Sequence, residues 1–187
     1  GQGRRILSAA KKLGLGTKIH ADEVNYLGGA GLAAELQAVS AEHLLAASDS
    51  NLDRMAAAGT IAVLLPGTAY SLKKPYARAL SMMEKNVPLA LATDCNPGSC
   101  VGESMPFVSG LAVLNMGLSP EQALVAATLN AAYAIGEQNR VGSLEKGKSA
   151  DFLLLDGESP AILAYHAGVN PVARVYKQGR LAAQNTV

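Results

Sequence analysis

The sequence has few of the residues that mark several protein classes. It contains no tryptophan and only two cysteines, Cys95 and Cys100, which cannot form a disulfide framework and favour a reducing, cytoplasmic environment. Charged residues make up 17% of the chain, and 16 basic against 15 acidic side chains give a net charge of +1. So small a charge does not predict a surface that binds nucleic acid or an anionic membrane. Apolar runs such as 61–65 are far shorter than the roughly 20 residues of a membrane-spanning helix.

The residues that are present predict a packed globular protein. Apolar residues make up 49% of the 187-residue chain, which excludes a disordered tail. Residues 1–15 place arginine and lysine in an amphipathic helical pattern, unlike the apolar centre of a secretory signal. The length corresponds to one domain, and we expect it to be part of a larger one.

Short apolar strands alternate with helical segments over the first 100 residues. Nearly continuous apolar strands separated by helices, such as 49–58 and 75–84, indicate a parallel sheet with helices on its surface. Four such units are about half of a (β/α)8 barrel, which usually has ~250 residues. The competing arrangement is an open doubly wound sheet, but neither of its glycine-rich phosphate-binding motifs follows any strand. The predicted strands are 17–21, 38–43, 60–65 and 88–93.

The pattern changes after the fourth strand. Two helices are predicted over 104–116 and 119–135, the second with a capping box at its start. Strands at 151–156 and 172–181 follow, with a break at 178–179, and are typical of a small β unit. The α/β chain is therefore predicted to have a half-barrel domain over 1–140 and a β-sandwich segment over 141–187.

Polar residues that do not fit a core occur at the ends of the predicted strands. His20 and Glu23 follow the first strand, His43 ends the second and Asp94 ends the fourth. Each alone is more often a hydrogen-bonded structural residue or a turn cap. Because the carboxyl ends of barrel strands meet at one face, the four together favour a shared site. Imidazole and carboxylate groups suit a divalent metal ion and its bound water.

Three segments resemble site motifs of the amidohydrolase superfamily. They are Lys-Ile-His-Ala-Asp-Glu at 18–23, Ser-Ala-Glu-His at 40–43 and Thr-Asp-Cys-Asn-Pro-Gly-Ser at 93–99. The third is similar in particular to the imidazolonepropionase family, and 141–147 and 150–152 resemble the return of these enzymes to their β-sandwich. The family's His-x-His pair and its substrate-binding Arg, Tyr and His of the first half are not in this sequence. The chain therefore resembles the carboxyl-terminal half, with barrel strands five to eight.

The resemblance implies a metal-dependent hydrolase. Such an enzyme opens the ring of 4-imidazolone-5-propanoate to N-formimidoyl-L-glutamate in histidine degradation. By this resemblance His20 and Asp94 are ligands of one divalent ion, zinc or iron, and Asp94 also takes a proton from the attacking water. His43 then orients that water or stabilises the oxyanion, and Glu23 binds a ring nitrogen and passes it a proton.

Further expectations follow from the same resemblance. Asn96, Gly98 and Ser99 would form a loop whose amide groups bind the substrate's propionate or the product's formimidoyl-glutamate. Glu23 reaches the pocket of His20 only if the chain turns after Ala21, because residues three apart on a strand face opposite sides. The intact enzyme is expected to be a homodimer that acts on a small molecule and needs the missing amino-terminal half.

Two alternatives remain open at this point. A ring aminohydrolase that acts on a purine, pyrimidine or triazine belongs to the same superfamily and shares the four strand-end residues. A non-catalytic half-barrel is the second alternative, and the chain alone is expected to be inactive.

Overall fold

The structure is a computed structural model that describes residues 1–166 and 168–185. The strands are β1 (Lys18–Ala21), β2 (Ser40–His43), β3 (Ile61–Leu64), β4 (Leu89–Leu91), β5 (Phe152–Leu155), β6 (Val172–Lys177) and β7 (Arg180–Gln184). The helices are α1 (Gln2–Lys12), α2 (Gly29–Glu35), α3 (Asp49–Ala58), α4 (Pro66–Ser71), α5 (Ala79–Glu84), α6 (Met105–Met116), α7 (Pro120–Ala127), α8 (Leu129–Ala134) and α9 (Ile162–Tyr165). No helix among the described residues is long and apolar enough to cross a membrane. Residue 167 and the last two residues of the predicted 141–187 segment lie outside the described residues.

The first four strands form one parallel sheet in the order β1-β2-β3-β4. Each strand is followed by at least one helix before the next begins, as in half of a (β/α)8 barrel. The predicted fold class and its four strands are confirmed.

The two faces of this sheet have different surroundings. Because side chains alternate along a strand, the register separates an outer set from an inner set. The outer set is apolar and packs under the helices in the main core, as Ala41, Leu64 and Leu91 do. On the inner face, Val63 of β3 and Ala90 of β4 form a second apolar cluster with α8, whereas β1 and β2 carry polar side chains.

A second sheet lies later in the chain. Strands β5, β6 and β7 pair antiparallel in that order, and β6 and β7 form a hairpin that turns at Gln178 and Gly179. Both turn residues have positive φ, 51° and 74°, which is the backbone form of a tight hairpin turn. The break predicted at 178–179 is this turn. The two sheets fall on either side of residue 140, and the domain boundary there stays a prediction.

Two helical predictions differ from the structure. The helix predicted over 75–84 begins only at Ala79. The residue before it, Arg78, donates to the carbonyl of Ala47, just ahead of α3, at 2.9 Å and holds this segment there. The helix predicted over 119–135 is divided at Thr128, whose hydroxyl donates back to the carbonyl of Leu124 at 2.7 Å.

The turn after β1 is held by a buried carboxylate. Asp22 has a φ of 50° and ends the strand, as the site prediction requires. Its side chain accepts backbone N–H groups of Leu27 at 2.8 Å, Gly29 at 3.1 Å and Ala30 at 2.9 Å. It thereby satisfies donors at the start of α2 that have no partner within the helix.

Asp22→Asn is expected to lower the free energy of unfolding by about 1–3 kcal/mol, the usual range when buried donors lose their acceptor. The amide of the new side chain cannot accept all three N–H groups. Urea unfolding followed by circular dichroism measures the change, with the exposed Asp156→Asn as the matched control. Equal stability of the two variants would contradict the role given to Asp22.

Candidate active site

The structure brings together three of the strand-end residues singled out in the sequence. His20, His43 and Asp94 each offer one potential ligand atom, and these atoms lie within 4.8 Å of one another. The two imidazole rings meet edge to face with their centroids 5.0 Å apart. These three side chains therefore form a geometric cluster at the carboxyl ends of the strands, and their role as a site stays a prediction.

His43 lies at the centre of this cluster and is almost completely buried. Its Nε2 lies 3.7 Å from a carboxylate oxygen of Glu23 and 3.9 Å from Oδ2 of Asp94. The backbone turns at this point, because His43 has a φ of 70° and Leu44 a φ of 63°. Glu23 follows the turn made by Asp22, so its carboxylate reaches His43, whose ring in turn contacts that of His20.

Burial controls the ionisation of His43. Desolvation lowers the pKa of its imidazole below the ordinary value of about 6.5, while the charges of Glu23 and Asp94 act in the opposite direction and raise it. The net direction is downward, so the ring is neutral at neutral pH. A neutral imidazole can accept a proton, donate a hydrogen bond or bind a metal ion.

Asp94 is oriented by a residue that the sequence analysis missed. The hydroxyl of Thr68 donates to Oδ2 of Asp94. Gly67, the residue before Thr68, packs closely against the loop after β4: a Cβ on Gly67 would lie 3.2 Å from Sγ of Cys100. The available signal was the position of Thr68 just beyond the end of β3, where site residues are expected.

A second missed residue is Glu42, which precedes His43 on β2. Its carboxylate is buried, and Oε2 lies 3.5 Å from Nδ1 of His20. The alternation of side chains along β2 places Glu42 on the inner face, and this was the signal that could have identified it.

The loop after Asp94 is organised by the side chain of Asn96. Its Oδ1 accepts the backbone N–H groups of Gly98 and Ser99, both at 2.8 Å, and its Nδ2 donates to the carbonyl of Asp94 at 2.6 Å. The amide groups predicted to bind a substrate carboxylate are thus paired inside the loop. A carboxylate that binds them must replace Asn96 Oδ1 as their acceptor.

The donor set fits a divalent metal ion. Two imidazole nitrogens and one carboxylate oxygen are ligands that zinc and iron both accept, and three protein ligands are typical of a catalytic zinc site. A cavity of about 30 Å³ lies beside them, lined in part by Glu23, His43 and Thr68. This cavity is large enough to hold at least one water molecule.

Comparison of the sequence with models of known protein families identifies the family of this chain. Residues 2–183 match the profile described as "Amidohydrolase family", which is nearly the whole chain. The chain belongs to the amidohydrolase family.

Two curated relatives of this amidohydrolase chain have the same name. A protein of Syntrophobacter fumaroxidans named imidazolonepropionase is 67% identical, and the match covers 95% of this chain and 42% of the relative. A protein of Desulfotalea psychrophila with the same name is 66% identical over 95% of this chain and 43% of the relative. The chain therefore spans less than half the length of these relatives.

Solved structures share the fold of this amidohydrolase. An adenosine deaminase from Xanthomonas campestris with bound zinc superposes with a TM-score of 0.79 at 24% identity, over 95% of this chain and 47% of that chain. A triazine hydrolase variant gives a TM-score of 0.77 at 19% identity, over 96% of this chain and 46% of that chain. The fold class predicted from the sequence agrees with these matches.

The electrostatics of the cluster lead to a titration experiment. Glu23→Gln is expected to lower the pKa of His43 further, because it removes a negative charge that favours the imidazolium. The His43 resonances in ¹H–¹⁵N spectra of the metal-free chain measure the midpoint. Glu103→Gln, a change of an exposed carboxylate, is the control. A midpoint that does not fall in Glu23→Gln would contradict the effect assigned to the Glu23 charge.

Proposed function

We propose that this chain supplies the carboxyl-terminal part of a metal-dependent enzyme that hydrolyses 4-imidazolone-5-propanoate to N-formimidoyl-L-glutamate. The observation that carries the proposal is the cluster of His20, His43 and Asp94 in a chain 67% identical to a protein named imidazolonepropionase. The donor types suit zinc or iron, and either ion fits the proposal.

The reaction requires one bond to form and one to break. The oxygen of a water molecule bonds to the ring carbonyl carbon, the adjacent C–N bond breaks, and the leaving nitrogen takes a proton. A divalent ion, when bound, would lower the pKa of a coordinated water to about 7. His20 and Asp94 are proposed to hold that ion.

The chain's own residues divide the proton transfers between them. The carboxylate of Asp94 accepts the proton of the attacking water, and Thr68 keeps that carboxylate oriented. His43 is neutral because it is buried, and it donates a hydrogen bond to the oxyanion that develops on the carbonyl. The proton that Asp94 takes from the water passes to Glu23, which lies 3.7 Å from His43 and is partly exposed, and Glu23 delivers it to the leaving nitrogen.

The loop of Asn96, Gly98 and Ser99 is proposed to bind the substrate's propionate. The two backbone N–H groups now paired with Asn96 Oδ1 turn to the carboxylate, and Asn96 keeps its contact with the Asp94 carbonyl. The proposal also includes a homodimer and a cytoplasmic location. Two free cysteines in the chain agree with the cytoplasmic location.

Asp94→Asn is expected to reduce turnover of 4-imidazolone-5-propanoate by at least about 10²-fold, the lower range for loss of a general base. The assay uses the chain fused behind the amino-terminal portion of the Syntrophobacter fumaroxidans relative, with Asp156→Asn as the control. Near-normal turnover by the Asp94 variant would rule out the mechanism.

The same fusion separates the ring-opening reaction from deamination. Release of ammonia from an amino-substituted purine, pyrimidine or triazine, without ring opening of the imidazolone, would replace the proposal by the aminohydrolase alternative.

The 187-residue chain without the added portion is expected to show no turnover, because it contains no His-x-His pair. Robust turnover by that chain alone would show that it is complete for catalysis.

A further inference from the structure

A buried carboxylate beside the proposed metal site has no role in the proposed mechanism. Glu42 lies on the inner face of β2 with its side chain only 8% exposed. In the parallel register Glu42 is the direct cross-strand partner of His20. Side chains that face each other in this way on neighbouring strands interact directly.

The two oxygens of Glu42 have different partners. Oε1 accepts a hydrogen bond from the hydroxyl of Ser40 and lies 3.7 Å from Nζ of Lys18. Oε2 lies 3.5 Å from Nδ1 of His20. Ser40 and Lys18 therefore hold one oxygen and fix the carboxylate with the other oxygen aimed at the imidazole.

We propose that Glu42 is a positioning residue, which accepts the Nδ1–H of His20 and so leaves the lone pair on Nε2 for the metal ion. Histidine ligands in metalloproteins generally donate their second ring N–H to a carboxylate or carbonyl, which fixes the tautomer and the ring orientation. Such a partner matters for His20 because its side chain is 66% exposed. This inference rests on the proposed metal binding by His20.

The alternative role for Glu42 is a structural ion pair with Lys18. The two roles predict different effects of a change at Lys18. A structural ion pair depends on both partners equally, whereas the contact between Glu42 and His20 survives when Lys18 is removed, because Ser40 still holds Oε1.

The experiment compares Glu42→Met, Glu42→Gln and Lys18→Met in the same fusion with the amino-terminal portion of the relative. Zinc affinity is measured by competition with a chromogenic chelator. Glu42→Met is expected to weaken zinc binding about 10- to 100-fold, the usual loss when such a partner is removed. Glu42→Gln keeps one acceptor oxygen and should lose less, and Lys18→Met should bind zinc like the unchanged protein.

A second readout is independent of the metal. Long-range ¹H–¹⁵N spectra of the metal-free protein report which nitrogen of His20 carries the proton. We expect Nδ1–H in the unchanged protein and in Lys18→Met, and a mixture of tautomers in Glu42→Met. Circular dichroism and the thermal transition establish that each variant is folded. If Glu42→Met does not fold, the comparison uses Glu42→Gln in its place.

The outcomes separate this inference from the proposed function. Unchanged zinc affinity and an unchanged His20 tautomer in a folded Glu42 variant would overturn the positioning role. Equal losses in Lys18→Met and Glu42→Met would assign Glu42 to a structural ion pair instead. If the unchanged protein binds no zinc, the proposed metal site fails, while the tautomer measurement still decides whether Glu42 holds His20.

Discussion

The parallel pairing of β1 to β4 is the constraint on which the candidate site depends. Strands that run in one direction end at one edge of the sheet, so residues far apart in the sequence meet there without any long-range motif. The in-register pairing of β1 with β2 places His20 beside Glu42. Asp94 joins the two histidines because β4 continues the same sheet on the far side of β3.

Direction alone does not place the side chains, and backbone turns complete the arrangement. Asp22, His43, Leu44 and Asp94 all have positive φ, between 50° and 70°. Such conformations are uncommon for residues other than glycine and cost of order 1 kcal/mol or more each, so neighbouring contacts must hold them. The three N–H groups on Asp22 and the Thr68 hydroxyl on Asp94 are such contacts.

These turns explain how much of the molecule could be predicted from its sequence. The four strands were predictable because apolar runs and helix caps are local signals, and the strand ends then gave His20, His43 and Asp94. The residues that orient them gave weaker signals in the sequence, because Thr68 and Glu42 act across strands that only the folded sheet brings together. A strict alternation along β2 would place Glu42 and His43 on opposite faces of the sheet. His43 instead has a φ of 70°, and its ring lies beside His20, the cross-strand partner of Glu42.

The position of His43 sets a limit on what this chain can do by itself. A catalytic metal site normally takes three protein ligands, and the cluster found among the described residues provides three only if His43 is one of them. The proposed mechanism needs the same imidazole free, as the hydrogen-bond donor to the oxyanion. In the proposed enzyme a His-x-His pair of the amino-terminal portion would supply the other ligands and leave His43 for that role. The proposal therefore separates metal binding from turnover, because an ion held by His20, His43 and Asp94 alone would occupy the group that the proposed mechanism requires.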